Sequence, residues 1–279
     1  MRSRRYKGND GEGSSYDLSI SDLMAALCCV FVLFTIGITT SLKEKNMAAN
    51  NYNETKVQIA DEIEDALKEF LENKDVTFDS NKLIIRFSGR LFEDSEAYLT
   101  DGFEKNLRKV FHPLMKTLYF SEKRDDIEEI RIEGFTATDR QDRIGRDTKL
   151  EEQNPYIKKF TQVGEGSDHD YITGFTLSQQ RTQNVLSYCM YIDSDKDIPQ
   201  EQKKAYKEWV RSHVSASGYS FIQPLDENGK VITLDAQNKL NNKQKDASKE
   251  KSRRVEFRIK TNADKVIDQL QLLDLEVKE

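Results

Sequence analysis

The stretch SRRVEFRIK (residues 252–260) decides the fold of most of this chain. Its residues alternate strictly between two kinds, the apolar Val255, Phe257 and Ile259 and the charged Glu256, Arg258 and Lys260. Successive side chains of a β-strand point to opposite faces of the sheet. The stretch therefore predicts a strand with one face against an apolar core and the other face polar.

The segments before this strand predict a mixed α+β domain over residues 76–262. TFDSNKLIIRFSGRLF (77–92) predicts two short strands, or one strand with a turn at 79–81, and further strands are predicted at 127–136 and 215–221. Helices are predicted at 101–120, from its apolar face, and at 176–192, with Thr176 or Ser178 as its start. The predicted order is β-α-β-α-β-β, followed by a tail helix within 263–279.

A stalk or linker helix is predicted over residues 42–75. Within it, KVQIADEIEDALKEFLENK (56–74) carries apolar residues close to helical spacing. The helix could pair with a second copy of the chain, or it could be a solvated charged helix. A sustained coiled coil is not predicted, because long heptads are absent from this stretch.

One apolar run, SDLMAALCCVFVLFTIG (21–37), stands apart from an otherwise charged chain. Leu23 to Ile38 would cover about 24 Å as a helix, and a start at Tyr16 extends this to about 35 Å, against a hydrocarbon core of about 30 Å. We therefore predict a cytoplasmic tail over 1–16 and a transmembrane helix over 17–41. The basic residues before the run place the N-terminus in the cytoplasm and the rest outside the inner membrane.

The alternative to a membrane anchor is a cleaved signal peptide, which the basic start would also fit. The carboxylate of Asp22 inside the start of the run, and the lack of a clean A-x-A-like cleavage site, favour an uncleaved anchor.

The composition excludes several classes of function. The chain has 279 residues, of which 33% are charged, and a net charge of −6, so its bulk charge does not predict nucleic-acid binding. The three cysteines do not form a disulfide framework, and the three histidines are scattered, so neither a metal site nor a cofactor is predicted. No nucleophile–base pair or phosphate loop is present in the sequence, which indicates a protein that is not an enzyme.

Asp22 is the residue of the membrane segment that needs an explanation. An ionised carboxylate at the middle of a membrane helix costs about 2.5–3.5 kcal/mol, and less near the interface. Asp22 could be an interfacial residue or a helix N-cap. It could instead carry an ion, because it shares one helical face with Ala26 and Cys29 among small residues that allow close packing of a second helix.

The segment SISDLMAALCCVFVLF (19–34) resembles the transmembrane segment of the MotB family of stator subunits. In that family a polar stretch leads into Asp-Leu/Phe-Met, small residues and a Phe/Leu-rich run. The resemblance implies that Asp22 binds the transported ion. It also implies a homodimer inside a ring of a multi-span MotA-like partner. A lone carboxylate implies H⁺ as that ion, whereas Na⁺ would need additional oxygen ligands.

Four motifs of the exported part resemble the OmpA-like peptidoglycan-binding domain: EGFTATD (133–139), LSQQRTQNVLSY (177–188), SGYSFIQP (217–224) and SRRVEFRI (252–259). Arg181 matches the family arginine that grips the free carboxylate of the peptide stem, a task that suits a planar guanidinium. The resemblance implies further peptidoglycan-binding positions at Thr136, Asp139, Leu177, Ser178, Arg253 and Arg254.

The chain departs from the family motifs at several points. Ala137 occupies the position of the family aspartate that binds the amino group of the stem, and Asp139 lies two residues further on as a substitute. Ser252 stands in place of the usual Asn, and Thr182 in place of Ala. Two charged insertions, within 140–176 and at 226–251, are predicted to be solvated loops.

The whole layout resembles a MotB-type stator subunit, and most closely the B subunits of the Zorya anti-phage defence systems. The resemblance implies an ion-driven rotary motor held to peptidoglycan, which signals phage attack from the envelope. The alternatives are a flagellar-type stator for motility and a passive OmpA-like tether between membrane and wall.

Overall fold

The computed structural model describes residues 13–71, 76–93, 97–137, 167–192, 195–262 and 264. The chain divides into two compact units, Met1–Asn51 and Tyr52–Glu279. The first helix, α1, runs from Gly13 to Leu71. Of the predicted elements, most of the tail helix and most of the first insertion lie outside the described residues.

In the first unit, Leu23–Lys43 is the one described stretch that is long and apolar enough to cross a membrane, with a mean hydropathy of 2.4 and none of it buried. Its three threonines make hydrogen bonds within the helix. The hydroxyls of Thr35, Thr39 and Thr40 each donate a hydrogen bond to the carbonyl four residues earlier. This arrangement suits a helix in lipid, where no water is available to satisfy polar groups.

The second unit is built on a five-stranded sheet in the order β1-β2-β5-β3-β4. The strands are Val76–Asp79 (β1), Ile84–Phe87 (β2), Ile127–Phe135 (β3), Val214–Gly218 (β4) and Arg254–Thr261 (β5). All neighbours are antiparallel except β3 and β4, which are parallel. The alternating stretch of the sequence is thus the central strand, and its Val255, Phe257 and Ile259 are buried in the core as predicted.

The remaining described helices are Asp101–Phe120 (α2), Ser167–Ile192 (α3), Lys203–His213 (α4), Leu234–Asn238 (α5) and Asn242–Ser252 (α6). A short 3₁₀ turn, Arg124–Asp126, precedes β3. The α+β fold class and the predicted helix at 101–120 are confirmed, and the stretch at 77–92 contains two strands. The helix α4 was not predicted from the sequence.

The predicted start of α3 at Thr176 or Ser178 is wrong, because the helix begins nine residues before Thr176. Both hydroxyls bond to preceding carbonyls inside the helix. Thr176 Oγ1 donates to Ile172 O at 2.9 Å, and Ser178 Oγ donates to Phe175 O at 2.8 Å. A hydroxyl used in this way is compatible with a helix interior, so neither residue marks a helix start.

The second half of the predicted stalk belongs to the folded unit, which begins at Tyr52. Ile59, Ile63 and Leu67 of α1 have no exposed surface and lie in the same hydrophobic core as the central strand. Their spacing of four residues places them on one face of the helix, whereas Val57 points outwards and is 59% exposed. The apolar face of this helix is therefore buried within its own chain, which corrects the interpretation as a solvated helix; pairing with a second copy stays a prediction.

The insertion at 226–251 is not the predicted solvated loop, since most of it folds as α5 and α6. Buried polar groups fasten it to the domain. Ser252 Oγ accepts a hydrogen bond from Leu225 N at 2.9 Å, and Ser248 Oγ donates to Leu225 O at 2.5 Å. Gln237 Nε2 donates in turn to Ser248 Oγ at 2.7 Å. Ser252, at the position of the family Asn, thus anchors the inserted segment.

The charged face of the central strand is also largely buried. Glu256 is 2% exposed and accepts hydrogen bonds from Arg254 Nε at 2.7 Å and Arg86 Nε at 2.8 Å. Burial by itself would raise the pKa of Glu256, but Arg254 and Arg86 hold it below its ordinary value. Arg258, two residues further along β5, donates from Nε to both carboxylate oxygens of Glu133 on β3, each at 3.0 Å.

We expect Ile63→Ala to destabilise the folded unit by about 2–5 kcal/mol, because it leaves a cavity in a core that excludes water. Val57→Ala, on the outer face of the same helix, should change the free energy of unfolding by less than about 0.5 kcal/mol. Urea unfolding of the chain in detergent can be followed by the fluorescence of Trp209, whose ring lies 5.8 Å from that of Tyr119. Equal effects of the two substitutions would contradict the burial of this helix face.

Glu256→Gln should destabilise the unit by about 3–5 kcal/mol, because it leaves the buried Arg254 without a carboxylate. Glu93→Gln is the matched control, since its partner Arg90 lies at 3.1 Å on the surface and the pair contributes at most about 1 kcal/mol. In the native chain the contribution of Glu256 is present above the ordinary carboxyl pKa and is lost as the pH falls through its lowered pKa. A Glu256→Gln protein with unchanged stability and acid sensitivity would refute this role.

Candidate functional site

The sequence motifs meet where β3 and β4 end beside α3. Thr136 N donates to Ser220 O at 2.8 Å, which joins the residues that follow the two parallel strands. Gly218 N donates to the side chain of Gln179 on α3 at 2.8 Å. The structure thus brings Thr136 and Ser178 together through Ser220.

Two glycines allow α3 to lie directly against the sheet. A Cβ at Gly134 would lie 2.5 Å from Thr182 Cγ2, and a Cβ at Gly218 would lie 2.4 Å from the backbone N of Gln179. Neither strand has room for a side chain at these positions. Thr182, which replaces the family Ala, is accommodated by this space, and its hydroxyl donates to Ser178 O at 3.1 Å.

Ser178 and Leu177 are buried, so neither side chain is open to a ligand. Ser178 instead connects α3 to the residues that follow β4. Ser178 Oγ accepts a hydrogen bond from Ser220 N at 3.0 Å. Ser220 has a φ of +54°, in the left-handed region that disfavours most side chains. Its hydroxyl donates to Tyr171 O at 3.2 Å, so both ends of Ser220 are fixed by α3. The sequence reading did not single out Ser220 or Tyr171.

Thr136 and Ala137 form the floor of the site, and each is 1% exposed. The position at which the family carries its aspartate is therefore a buried methyl group in this chain. Within the part of the chain that the structure describes, Thr136 Oγ1 and the nearby helix residue Thr173 have buried hydroxyls without a hydrogen-bond partner. Asp139, the predicted substitute carboxylate, lies outside the described residues.

Arg181 lies on the side of α3 that faces the loop before α2. Its guanidinium lies over the ring of Phe92, 4.7 Å from the ring centre, a separation typical of a cation–π contact. Asn184, one turn further along the helix, donates from Nδ2 to Ala97 O at 2.8 Å and fixes the same loop. Neither Phe92 nor Asn184 was predicted from the sequence to belong to the site. Asn184 lies three residues after Arg181, a spacing that places both on one side of a helix and could have indicated it.

The two arginines of the last motif have different surroundings. Arg254 is 1% exposed, lies 3.7 Å above the centre of the Phe135 ring, and donates from Nη1 to Gln223 O at 3.0 Å. Burial lowers the pKa of Arg254, and Glu256 partly offsets this effect. Arg254 is thus part of the interior, whereas Arg253 is exposed at the end of α6.

The membrane helix carries the other predicted site residue. Asp22 lies in α1, and its side chain is outside the description. The helical backbone places Asp22, Ala26 and Cys29 on one face, as their spacing predicts. Among the side chains described, no group of three His, Cys, Asp or Glu residues is arranged to hold a metal ion.

No protein-family model matches the chain, and no curated protein matches its sequence. Among solved structures, the chain is similar to a MotB-like protein from Desulfovibrio vulgaris, with 17% identity, a TM-score of 0.39, and coverage of 75% of this chain and 93% of that one. It is also similar to the periplasmic domain of Helicobacter pylori MotB, with 15% identity, a TM-score of 0.35, and coverage of 69% of this chain and 82% of that one.

Proposed function

We propose that this chain is the wall-anchored B subunit of an ion-driven rotary motor in the inner membrane, and that the motor serves anti-phage defence in the manner of Zorya systems. The observation that carries the proposal is the joint occurrence of two features. An apolar helix has a carboxylate, Asp22, at its start. In the folded unit, Thr136 and Ser178 are joined through Ser220 at one end of the sheet, and Ser178 lies on the helix that also carries Arg181.

In this proposal Asp22 carries the ion. Two copies of the chain sit inside a ring of a multi-span MotA-like partner, so Asp22 faces protein and not lipid. Binding of H⁺ neutralises the carboxylate and changes the contact that it prefers on the ring, which biases the ring between two positions. Repeated loading and release would convert the ion gradient into rotation.

The folded unit holds the motor still against that rotation. Arg181 binds the carboxylate of a peptidoglycan stem, with Asp139 and Arg253 as further polar contacts. The buried Thr136, Leu177, Ser178 and Arg254 act by positioning the strands and α3 around it. The defence assignment draws on the lead sequence SSYDLSIS (14–21) and on the two insertions, of which the second adds α5 and α6 to the domain.

We expect Asp22→Asn to abolish phage protection by the native locus, because the amide retains the size of the carboxylate but cannot carry a proton. The measurement is plating efficiency over a broad phage panel, with membrane levels of the protein checked. Asp17→Asn, five residues earlier and on another face of the helix, is the matched control and should retain protection. Protection that survives Asp22→Asn would favour the passive tether, and absence of protection with the intact locus would direct the test to motility.

We expect Arg181→Ala to weaken binding of the full chain to isolated peptidoglycan sacculi by about 10- to 100-fold, the loss of one charge-assisted bidentate contact. Arg181→Lys should recover only part of the affinity, since an ammonium lacks the planar fork. Arg211→Ala, on the exposed side of α4, should bind as the native chain does. Co-sedimentation measures all three variants, and unchanged binding by Arg181→Ala would contradict the assigned role.

A further inference from the structure

The face of α3 that carries Arg181 continues as a row of polar and aromatic residues. Arg181, Asn184, Tyr188 and Tyr191 follow one another at intervals of three, four and three residues, which places them on one side of the helix. At 1.5 Å per residue the row is about 15 Å long. It begins at the predicted wall-binding arginine and leads away from the floor of the site.

Two other segments widen this row into a surface. Asn184 holds the loop that presents Tyr98, through its bond to Ala97 O at 2.8 Å. From α2, Arg108 Nη2 donates to Tyr188 OH at 3.3 Å. The Tyr188 hydroxyl, and with it Tyr191, raises the pKa of Arg108 above its ordinary value. We call the surface the tyrosine strip; its members are Tyr98, Arg108, Arg181, Asn184, Tyr188 and Tyr191.

The tyrosine strip exposes large rings to solvent. Tyr191 is 83% exposed and Tyr98 is 68% exposed, more than any other described large apolar residue of the folded unit. A ring left in water contributes little to folding, so clustered exposed rings indicate a binding surface. Tyrosine suits such a surface because it combines an apolar face with a polar tip.

We propose that the tyrosine strip binds the glycan strand of peptidoglycan, as an extension of the stem-peptide site. The inference rests on the proposed function, because it needs a stem held at Arg181. The sugars that carry a stem must lie close to it, and the strip begins at the same residue. The C–H face of a pyranose ring packs on an aromatic face, while its hydroxyls can bond to the amide of Asn184 and the guanidinium of Arg108.

The chemistry of the strip favours a sugar polymer over a protein partner. Cores of protein interfaces are apolar and depleted of charged residues. In the described part of the folded unit, the exposed large aliphatic residues are Val57, Ile222 and Val231, and none of them lies in α2, α3 or the loop at 97–98. The strip instead alternates rings with an amide and two guanidinium groups, which matches the alternation of C–H faces and hydroxyls along a glycan.

The test uses the full chain in detergent and three probes: intact sacculi, free stem peptide, and glycan strands from which an amidase has removed the stems. We expect the double substitution Tyr98→Ala and Tyr191→Ala to weaken binding to sacculi and to bare glycan by about tenfold or more, at roughly three- to tenfold per ring. Binding of free stem peptide should remain unchanged. The matched control, Tyr98→Phe with Tyr191→Phe, keeps both rings and should retain most of the glycan affinity.

The outcomes separate the two proposals. If Arg181→Ala loses the stem peptide while the double Ala variant loses only glycan, the strip is a glycan subsite. If the double Ala variant binds sacculi and bare glycan as the native chain does, the strip proposal is overturned and the stem site stands. If the native chain binds none of the probes, both proposals fall. A double Ala variant that keeps wall binding but changes oligomeric state in light scattering would identify the strip as a protein contact and also overturn the proposal.

Discussion

The close contact of α3 with β3 and β4 is the constraint on which the rest of the folded unit depends. Because Gly134 and Gly218 lack side chains, the helix backbone can lie directly on the two strands. This contact fixes the rotation of α3, so that Thr182 points into the sheet and Arg181 points towards Phe92 in the loop before α2. The position of the row from Arg181 to Tyr191 therefore follows from packing on the opposite, buried side of the same helix.

Much of this fold could be predicted from periodicity alone. Residues alternate at 252–260 with the period of a strand, and apolar residues recur at 101–120 with the period of a helix. In the structure both apolar faces are buried. The start of α3 could not be predicted in this way, because a hydroxyl that caps a helix and one that bonds back to a carbonyl within it belong to the same residue types. The two cases differ only in whether the residues before Thr176 are helical, and the structure shows that they are, from Ser167 onwards.

The other departures arise from tertiary contacts that leave no local signal. The helix at 56–71 has a charged outer face in the sequence, yet Ile59, Ile63 and Leu67 fill a place in the core that could only be known from the domain. The insertion before the last strand is largely polar, but its Ser248 and Gln237, together with Ser252, make hydrogen bonds in a buried position. At the candidate site, the motifs predicted which segments meet, whereas the burial of Arg254 depends on Phe135 and Gln223, distant in sequence.

On the proposed function, the buried methyl group of Ala137 changes which contacts can hold the wall. Without the family carboxylate at this position, the amino group of a stem has no partner there, and one arginine–carboxylate pair gives modest affinity in water. Peptidoglycan, however, is a polymer, and a second contact on the same strand acts at high effective concentration. On the proposed function, a row of rings about 15 Å long beside Arg181 would supply such a contact. An anchor that resists torque needs slow release more than a strong single bond, and several modest contacts along one strand provide it.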